Sequence, residues 1–215
     1  MRIVITAGPT REHLDPVRFI SNRSTGKMGF ALAERAAARG AEVTLIAGPV
    51  TLDTPPGVRR VDVVSACDML EAVRRELPAA DALIMCAAVA DWRPKRVSPV
   101  KLKKRDMSSV LELEPNPDIL LTLRPDKGGR RFVGFAAETG DPLPEAQRKL
   151  VAKGLDLLVA NDVSRSDAGF SADTNRVTLL APGRDPEALP LMSKQAVADR
   201  ILDRLLELMS GTRGN

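Results

Sequence analysis

Apolar positions along the chain fall into two rhythms, short continuous runs and longer stretches with helical spacing. Arg2 to Thr6 (RIVIT) is a β-rich run that ends at Ala7-Gly8-Pro9, a strand followed by a turn. From about residue 27 to residue 39 an alanine-rich run reads as a helix, closed by Gly40 in the C-terminal capping role. Val43 to Ala47 (VTLIA) is the next strand and stops at Gly48-Pro49. Strand, helix, strand in that order is a βαβ unit.

The rhythm repeats. Ser65 caps a predicted helix to about Leu77, and Asp81 to Ala88 (DALIMCAA) has the apolar character of a strand buried on both faces of a parallel sheet. Asn116 to Leu123 reads as a helix opening at Asn-Pro, with Pro117 in its first turn. Phe132 to Ala137 is a strand, Pro144 to Lys153 a helix ended by Gly154, and Leu155 to Ala160 another strand. Five parallel strands with covering helices predict an α/β fold, a doubly wound, mainly parallel sheet.

Two regions break this pattern. Residues 92 to 115 alternate basic and apolar positions and predict a β-ribbon that leaves the sheet and packs on a partner. Arg176 to Leu180 reads as an edge strand, and Ser193 to Met209 as a closing amphipathic helix with Val197, Ile201, Leu205 and Leu208 on one face. The expected organisation is one domain over residues 1–210, with an insertion at about 92–115 and a disordered tail at 211–215.

Composition narrows the function classes. The 215 residues are 44% hydrophobic and 28% charged, as in an ordinary soluble globular protein. No apolar run approaches the ~20 residues of a membrane span, and the chain starts straight into a strand, so a cytoplasmic location without membrane contact is expected. Cys67 and Cys86 form no CxxC pair and His13 is the single histidine, which argues against a disulfide framework and against a dedicated metal site. The net charge of +4 comes with no tyrosine, one tryptophan and five phenylalanines. Stacking platforms for nucleic acid are scarce, and small polyanionic substrates account for the charge at least as well.

Candidate chemistry gathers beyond the strand ends, where open α/β sheets bind ligands. Gly8 to Gly26, Ala87 to Trp92, Asn116 to Leu120, Phe135 to Thr139 and Asn161-Asp162 should line one crevice. Within it, Ser21 to Gly29 (SNRSTGKMG) sets a polar loop against a helix start, an arrangement that attracts an anion. A Walker A loop is excluded, because Ser21 stands where its first glycine belongs and Met28 follows Lys27. The glycine fingerprint of dinucleotide sites is missing after the first strand, and the Tyr-x-x-x-Lys pair of short-chain dehydrogenases cannot exist here. Ala87 to Asp91 either exposes backbone to a flat ligand or packs closely, with Asp91 as a cap. Lys101, Lys103 and Lys104 either grip phosphates or guard a solvated edge. Lys149 and Lys153 share a helix face, exposed or placed to meet an anion. Cys86, inside an apolar strand, reads as a core residue and not as a nucleophile.

The segments ITAGPTRE, DPVRFISNRSTGKMGFALAE, VTLIAGPV, AAVADWRPK, KLKK, NPDIL, VGFAAET and LDLLVAND occur in this order. Together they resemble bacterial phosphopantothenoylcysteine synthetase, the ligase of coenzyme A biosynthesis. The resemblance implies a Rossmann-like fold working as a homodimer through the ribbon. It implies that CTP and Mg2+ activate 4'-phosphopantothenate as an acyl-cytidylate, which L-cysteine then opens to give the amide and CMP; relatives elsewhere use ATP. Asn22 resembles the asparagine that holds the acyl-cytidylate and Lys101 the lysine needed to form it. Met85, Cys86, Ala87, Asp91, Pro117, Asp118, Ile119, Leu120, Phe135, Lys149 and Lys153 resemble nucleotide-binding positions. Ser24, Thr25, Gly26 and Lys27 would receive the phosphate of the acid substrate, with Arg18 a further candidate. Magnesium would arrive on the triphosphate. Departures are His13 in place of a common proline, Thr25 in place of serine and Trp92 in place of tyrosine. The bacterial enzyme is often fused behind a flavin-dependent phosphopantothenoylcysteine decarboxylase, which makes that enzyme an expected partner.

Overall fold

The computed structural model describes residues 1–106, 109–138, 140, 143–162 and 172–210. In chain order the elements are β1 (Arg2–Ala7), β2 (Arg11–His13), β3 (Phe19–Ser21), α1 (Lys27–Ala38), β4 (Glu42–Ala47), β5 (Val58–Asp62) and α2 (Ala66–Glu76). There follow β6 (Ala82–Met85), β7 (Trp92–Pro94), β8 (Leu113–Pro115), α3 (Ile119–Leu123), β9 (Arg131–Glu138), α4 (Leu143–Ala152) and β10 (Leu157–Asp162). The chain closes with β11 (Thr174–Asn175), β12 (Val177–Leu180), β13 (Glu187–Ala188), β14 (Met192–Ser193) and α5 (Lys194–Ser210). The expected tail at 211–215 lies outside the described residues.

Among the described residues the central sheet runs β13-β12-β10-β9-β6-β1-β4-β5. From β5 to β10 all neighbours are parallel, and β12 and β13 extend the sheet antiparallel. This is the expected Rossmann-like α/β architecture, with one more parallel strand than predicted. The addition is β5, whose sequence VRRVD lacks an apolar run because it forms the sheet's edge.

The sheet separates two cores. On one face α1 and α5 bury Phe30, Leu32, Val197, Ile201 and Leu205 against Ile3, Ile5, Leu45 and Val159. On the other, α2, α3 and α4 bury Met69, Val73, Leu123 and Leu150 against Val4, Leu83, Phe132 and Leu158. Buried on both sides, the strands read as continuous apolar runs.

Caps fix where the helices begin and end. Gly40 at φ 81 closes α1, with its amide donating to the Ala37 carbonyl at 2.9 Å and Ala41 reaching back to Ala36 at 3.1 Å. Ser65 and Asp68 form a reciprocal capping box on α2. The predicted helix at Asn116 starts later: Asp118 is its cap, accepting from the Leu121 amide at 3.1 Å, and Pro117 precedes the helix. The predicted strand Asp81 to Ala88 stops at Met85. The predicted ribbon pairs only β7 with β8, and Lys101 to Lys103 lie in irregular chain between them.

Candidate active site

Beyond Met85 the chain leaves the β6 ladder and is held by a second set of bonds. The Ala87 amide donates to Thr6 Oγ1 at 3.1 Å and the Ala90 amide to Thr10 Oγ1 at 3.0 Å. Ala88 donates to the Gly8 carbonyl at 2.9 Å. Thr6 and Thr10 are fully buried, so two hydroxyls replace the ladder partners this loop gives up. Asn116 adds its side-chain amide to the Ala90 carbonyl at 2.8 Å. The loop Ala87 to Asp91 is therefore a fixed floor that carries short side chains.

That floor belongs to a cavity of about 870 Å3. The N-terminal end of α1 forms one wall. Its cap residue Gly26 has φ 81, the cap makes no side-chain hydrogen bond, and the first turn carries no acid, so the positive end of the helix faces the cavity. Lys27, at the first helical position, pairs with Asp173 at 2.6 Å. Asn22 spans from this wall to the floor, its Nδ2 donating at 3.1 Å to both the Ala88 and the Val89 carbonyl. Both amide hydrogens are matched by carbonyls in this state.

The opposite wall carries paired charges. Lys153, in the turn that follows α4, meets Asp118 at 2.8 Å, and Lys149 in the last turn of α4 meets Glu138 at 2.6 Å, so both lysines are held toward the cavity by carboxylates. Two like charges one turn apart are thus each neutralised locally. Cys86 lies in the cavity wall, and burial pushes its thiol up to about 12. A thiol that stays protonated at neutral pH is no nucleophile.

The one cavity brings together the sequence-predicted loop residues Asn22, Ser24, Thr25, Gly26 and Lys27. It also gathers Met85, Cys86, Ala87 and Asp91, the run Pro117, Asp118, Ile119 and Leu120, and Phe135, Lys149 and Lys153. Arg18 and Lys101 lie outside its lining, and the same structural device explains both. The buried Asp15 carboxylate accepts from the Val17 and Arg18 amides at 2.8 Å each, and binds the Arg18 guanidinium. It also accepts from the Leu102 amide at 3.2 Å, while Arg18 Nη2 donates to the Leu102 carbonyl at 2.9 Å. Arg18 thus clamps the neighbour of Lys101, and Lys101 itself is exposed to solvent. The Arg18 bond holds the Asp15 carboxyl well below the usual carboxylate range.

Three cavity residues escape the sequence reading, Pro115, Asn175 and Lys194. The signal for Lys194 is a lysine in register with the apolar stripe Val197, Ala198, Ile201 and Leu205 of α5. Trp92, Asn116 and Asn161 also line the cavity and fall within the predicted crevice segments.

Comparison with known proteins gives concordant results. Residues 1–209 match the family described as DNA/pantothenate metabolism flavoprotein C-terminal domain. The chain is 52% identical over 211 residues to the coenzyme A biosynthesis bifunctional protein CoaBC of Bacillus subtilis (strain 168), a match covering 98% of this chain and 52% of that protein. The CoaBC protein of Vibrio cholerae is 49% identical over 211 residues, covering 97% of this chain and 53% of the relative. The chain spans about half the length of these curated relatives. Among solved structures, the C-terminal domain of a CoaBC protein superposes with a TM-score of 0.84 at 43% identity, covering 98% of this chain and 96% of that one.

Proposed function

Because the chain belongs to the family of DNA/pantothenate metabolism flavoprotein C-terminal domains, we propose that it is a synthetase that joins 4'-phosphopantothenate to L-cysteine at the expense of CTP. The observation that carries this reading is a single cavity with an anion-attracting helix start and Asn22 on one side and Lys149 and Lys153, at the C-terminal end of α4, on the other. Such a cavity fits two anionic molecules that must meet end to end.

In this reading a carboxylate oxygen of phosphopantothenate attacks the α-phosphorus of CTP, the bond to the β-phosphate breaks, and pyrophosphate leaves. The amine of cysteine then adds to the acyl carbon, CMP departs, and the amine proton passes to solvent or to the departing phosphate. Magnesium comes with the triphosphate as part of the substrate. Among the described residues no group of three acidic, histidine or cysteine side chains lies together as a metal cage, and a triphosphate-borne ion needs only one or two carboxylates from the protein. Asp91 in the cavity wall is the candidate.

Asn22 has a defined task here. To donate to the oxyanion formed when cysteine attacks, it exchanges one of its two carbonyl partners on the floor for the substrate oxygen. Lys101 offsets charge on the attacked α-phosphate once the arm from Lys95 to Arg105 is brought over a cavity. That cavity is its own or that of a second copy. Exposed Trp92, Val97, Val100, Val110, Leu111 and Leu113 along the same insertion support a homodimer built on it. A flavin-dependent phosphopantothenoylcysteine decarboxylase is the proposed functional partner, supplied with the product made here.

The test mixes the protein with phosphopantothenate, magnesium and either CTP or ATP, with and without cysteine, and follows pyrophosphate and nucleoside monophosphate separately. Pyrophosphate with CTP alone, and CMP only after cysteine is added, is the expected result. No turnover with either nucleotide overturns the reading, and turnover with ATP in place of CTP overturns its nucleotide.

A further inference from the structure

Between the cavity and α2 lies a guanidinium that the reaction above does not use. Arg93, in β7, stands opposite Glu114 of β8 and donates from Nε to its carboxylate at 2.7 Å. Its Nη1 donates to Asn116 Oδ1 at 3.2 Å and to the Sγ of Cys67, in the first turn of α2, at 3.1 Å. One planar group thus joins the short ribbon, the start of α2 and the chain that enters the cavity wall. The Arg93 and Glu114 side chains are 34% and 38% exposed, and an ion pair so open to water adds little to stability. What the fork of donors supplies is direction.

Direction matters at Asn116. A guanidinium only donates and a peptide carbonyl only accepts, so an amide that bridges the two has a single orientation. Asn116 turns its oxygen to Arg93 and its nitrogen to the Ala90 carbonyl at 2.8 Å, while its backbone amide donates to the Asp91 carbonyl at 2.8 Å. The Ala90 amide is held in turn by the buried Thr10 hydroxyl. The run that follows Asn116, from Pro117 to Leu120, lines the cavity and opens α3 through the Asp118 cap. Arg93 lies outside the cavity lining, yet through Asn116 it holds floor and wall at one spacing. Ser24 to Lys27 belong to the other wall, at the start of α1.

On the basis of the ligase reading above, we propose that Arg93 is a positioning residue for the nucleotide: acting through Asn116, it fixes the gap between Ala90-Asp91 and Pro117 to Leu120 that the nucleotide enters. Arg93 touches neither substrate and takes no part in the bond changes.

The experiment compares wild type with Arg93→Met, Arg93→Lys, Asn116→Ala, the double variant of Arg93→Met with Asn116→Ala, and Glu114→Gln. Calorimetry gives Kd for magnesium-CTP, for magnesium-ATP and for phosphopantothenate, each alone, and the pyrophosphate assay gives KM and kcat. Arg93→Met is expected to raise Kd and KM for nucleotide about 5- to 20-fold, with kcat at saturating nucleotide and Kd for phosphopantothenate within about twofold of wild type. Arg93→Lys keeps a charge opposite Glu114 but has no fork, so it should melt like wild type and still bind nucleotide weakly. The double variant should bind no more weakly than Asn116→Ala, because Arg93 acts through that side chain. Glu114→Gln leaves Arg93 an acceptor and should stay within about twofold throughout. Wild-type nucleotide binding in Arg93→Lys, equal losses for both ligands in Arg93→Met, or additive losses in the double variant overturn the inference. The two readings fail separately. Wild type that binds nucleotide but releases no pyrophosphate removes the ligase and leaves calorimetry to decide on Arg93, whereas wild type that binds no nucleotide removes both.

Discussion

The loop that leaves β6 and the arm that leaves β7 are both irregular, and both carry residues assigned to the chemistry, yet they are secured by different means. The loop at Ala87 to Asp91 is sewn to β1 and the following turn by the buried Thr6 and Thr10 and by backbone bonds to Gly8. The arm at Lys95 to Arg105 touches the body through a handful of bonds: Ser98 to the Leu14 carbonyl at 2.9 Å, and Leu102 to Asp15 and Arg18. Removing one bond from the floor leaves the others in place. Removing Asp15 takes away most of what locates the arm. In the proposed reading a binding surface sits on the redundant part, and the charge of Lys101 on a part tethered through Leu14, Asp15 and Arg18.

The sharpest way to break this contrast is Lys101→Gln. If the arm supplies charge to the activation step, pyrophosphate release falls by about 10³-fold or more while phosphopantothenate binding and Tm stay near wild type. Unchanged release would take Lys101 out of the reaction. Next comes Asn22→Asp on the floor side. Here pyrophosphate still forms and product formation slows by about 10²- to 10³-fold, so a burst of pyrophosphate without matching CMP is the expected signature. Loss of both steps together would deny Asn22 its separate role.

Gly48→Ala probes the floor's rigidity. An added Cβ would meet the Pro9 carbonyl oxygen at 1.8 Å, so the turn after β1 must move, and a loss of about 3 kcal/mol in stability is expected from denaturant melts. A variant as stable as wild type would show that this turn yields easily. The smallest expected effect is that of Asp15→Asn, which should slow pyrophosphate release by about tenfold and expose the arm to limited proteolysis while leaving nucleotide binding intact. Because Arg18 lowers the native pKa of Asp15, its stabilisation is fully present above about pH 4 and is lost as the pH falls through the native value. The Tm gap between variant and wild type should therefore be constant at neutral pH and narrow only in stronger acid.

The parts of this molecule that were legible in the sequence are those where one signal dominates. The apolar strands of the parallel sheet announce themselves because both faces are buried, and the crevice segments follow from where such strands end. β5 was missed because an edge strand trades apolar residues for Arg59 and Arg60. β2 and β3 are three residues each and too short for any period to show. The basic alternation around Lys101 resembles a strand, but the chain there is fixed by the side chains of Asp15 and Arg18, more than eighty residues earlier in the sequence, a contact no local pattern encodes. Lys194 was hidden for the reverse reason. Its apolar neighbours on the stripe give α5 the pattern of a simple core helix, which masks its one polar member at the helix start.

The two ends of the central sheet bear on how copies of the protein can meet. At β5, Arg59 is tied to Thr44 and Glu76, and Arg60 to Asp62 and the Leu52 carbonyl, so the outer strand carries a row of fixed charges. At the other end β13 is only two residues long. Neither rim is a good template for strand-to-strand growth, so crowding of this protein in a concentrated solution is steered away from fibrous assembly.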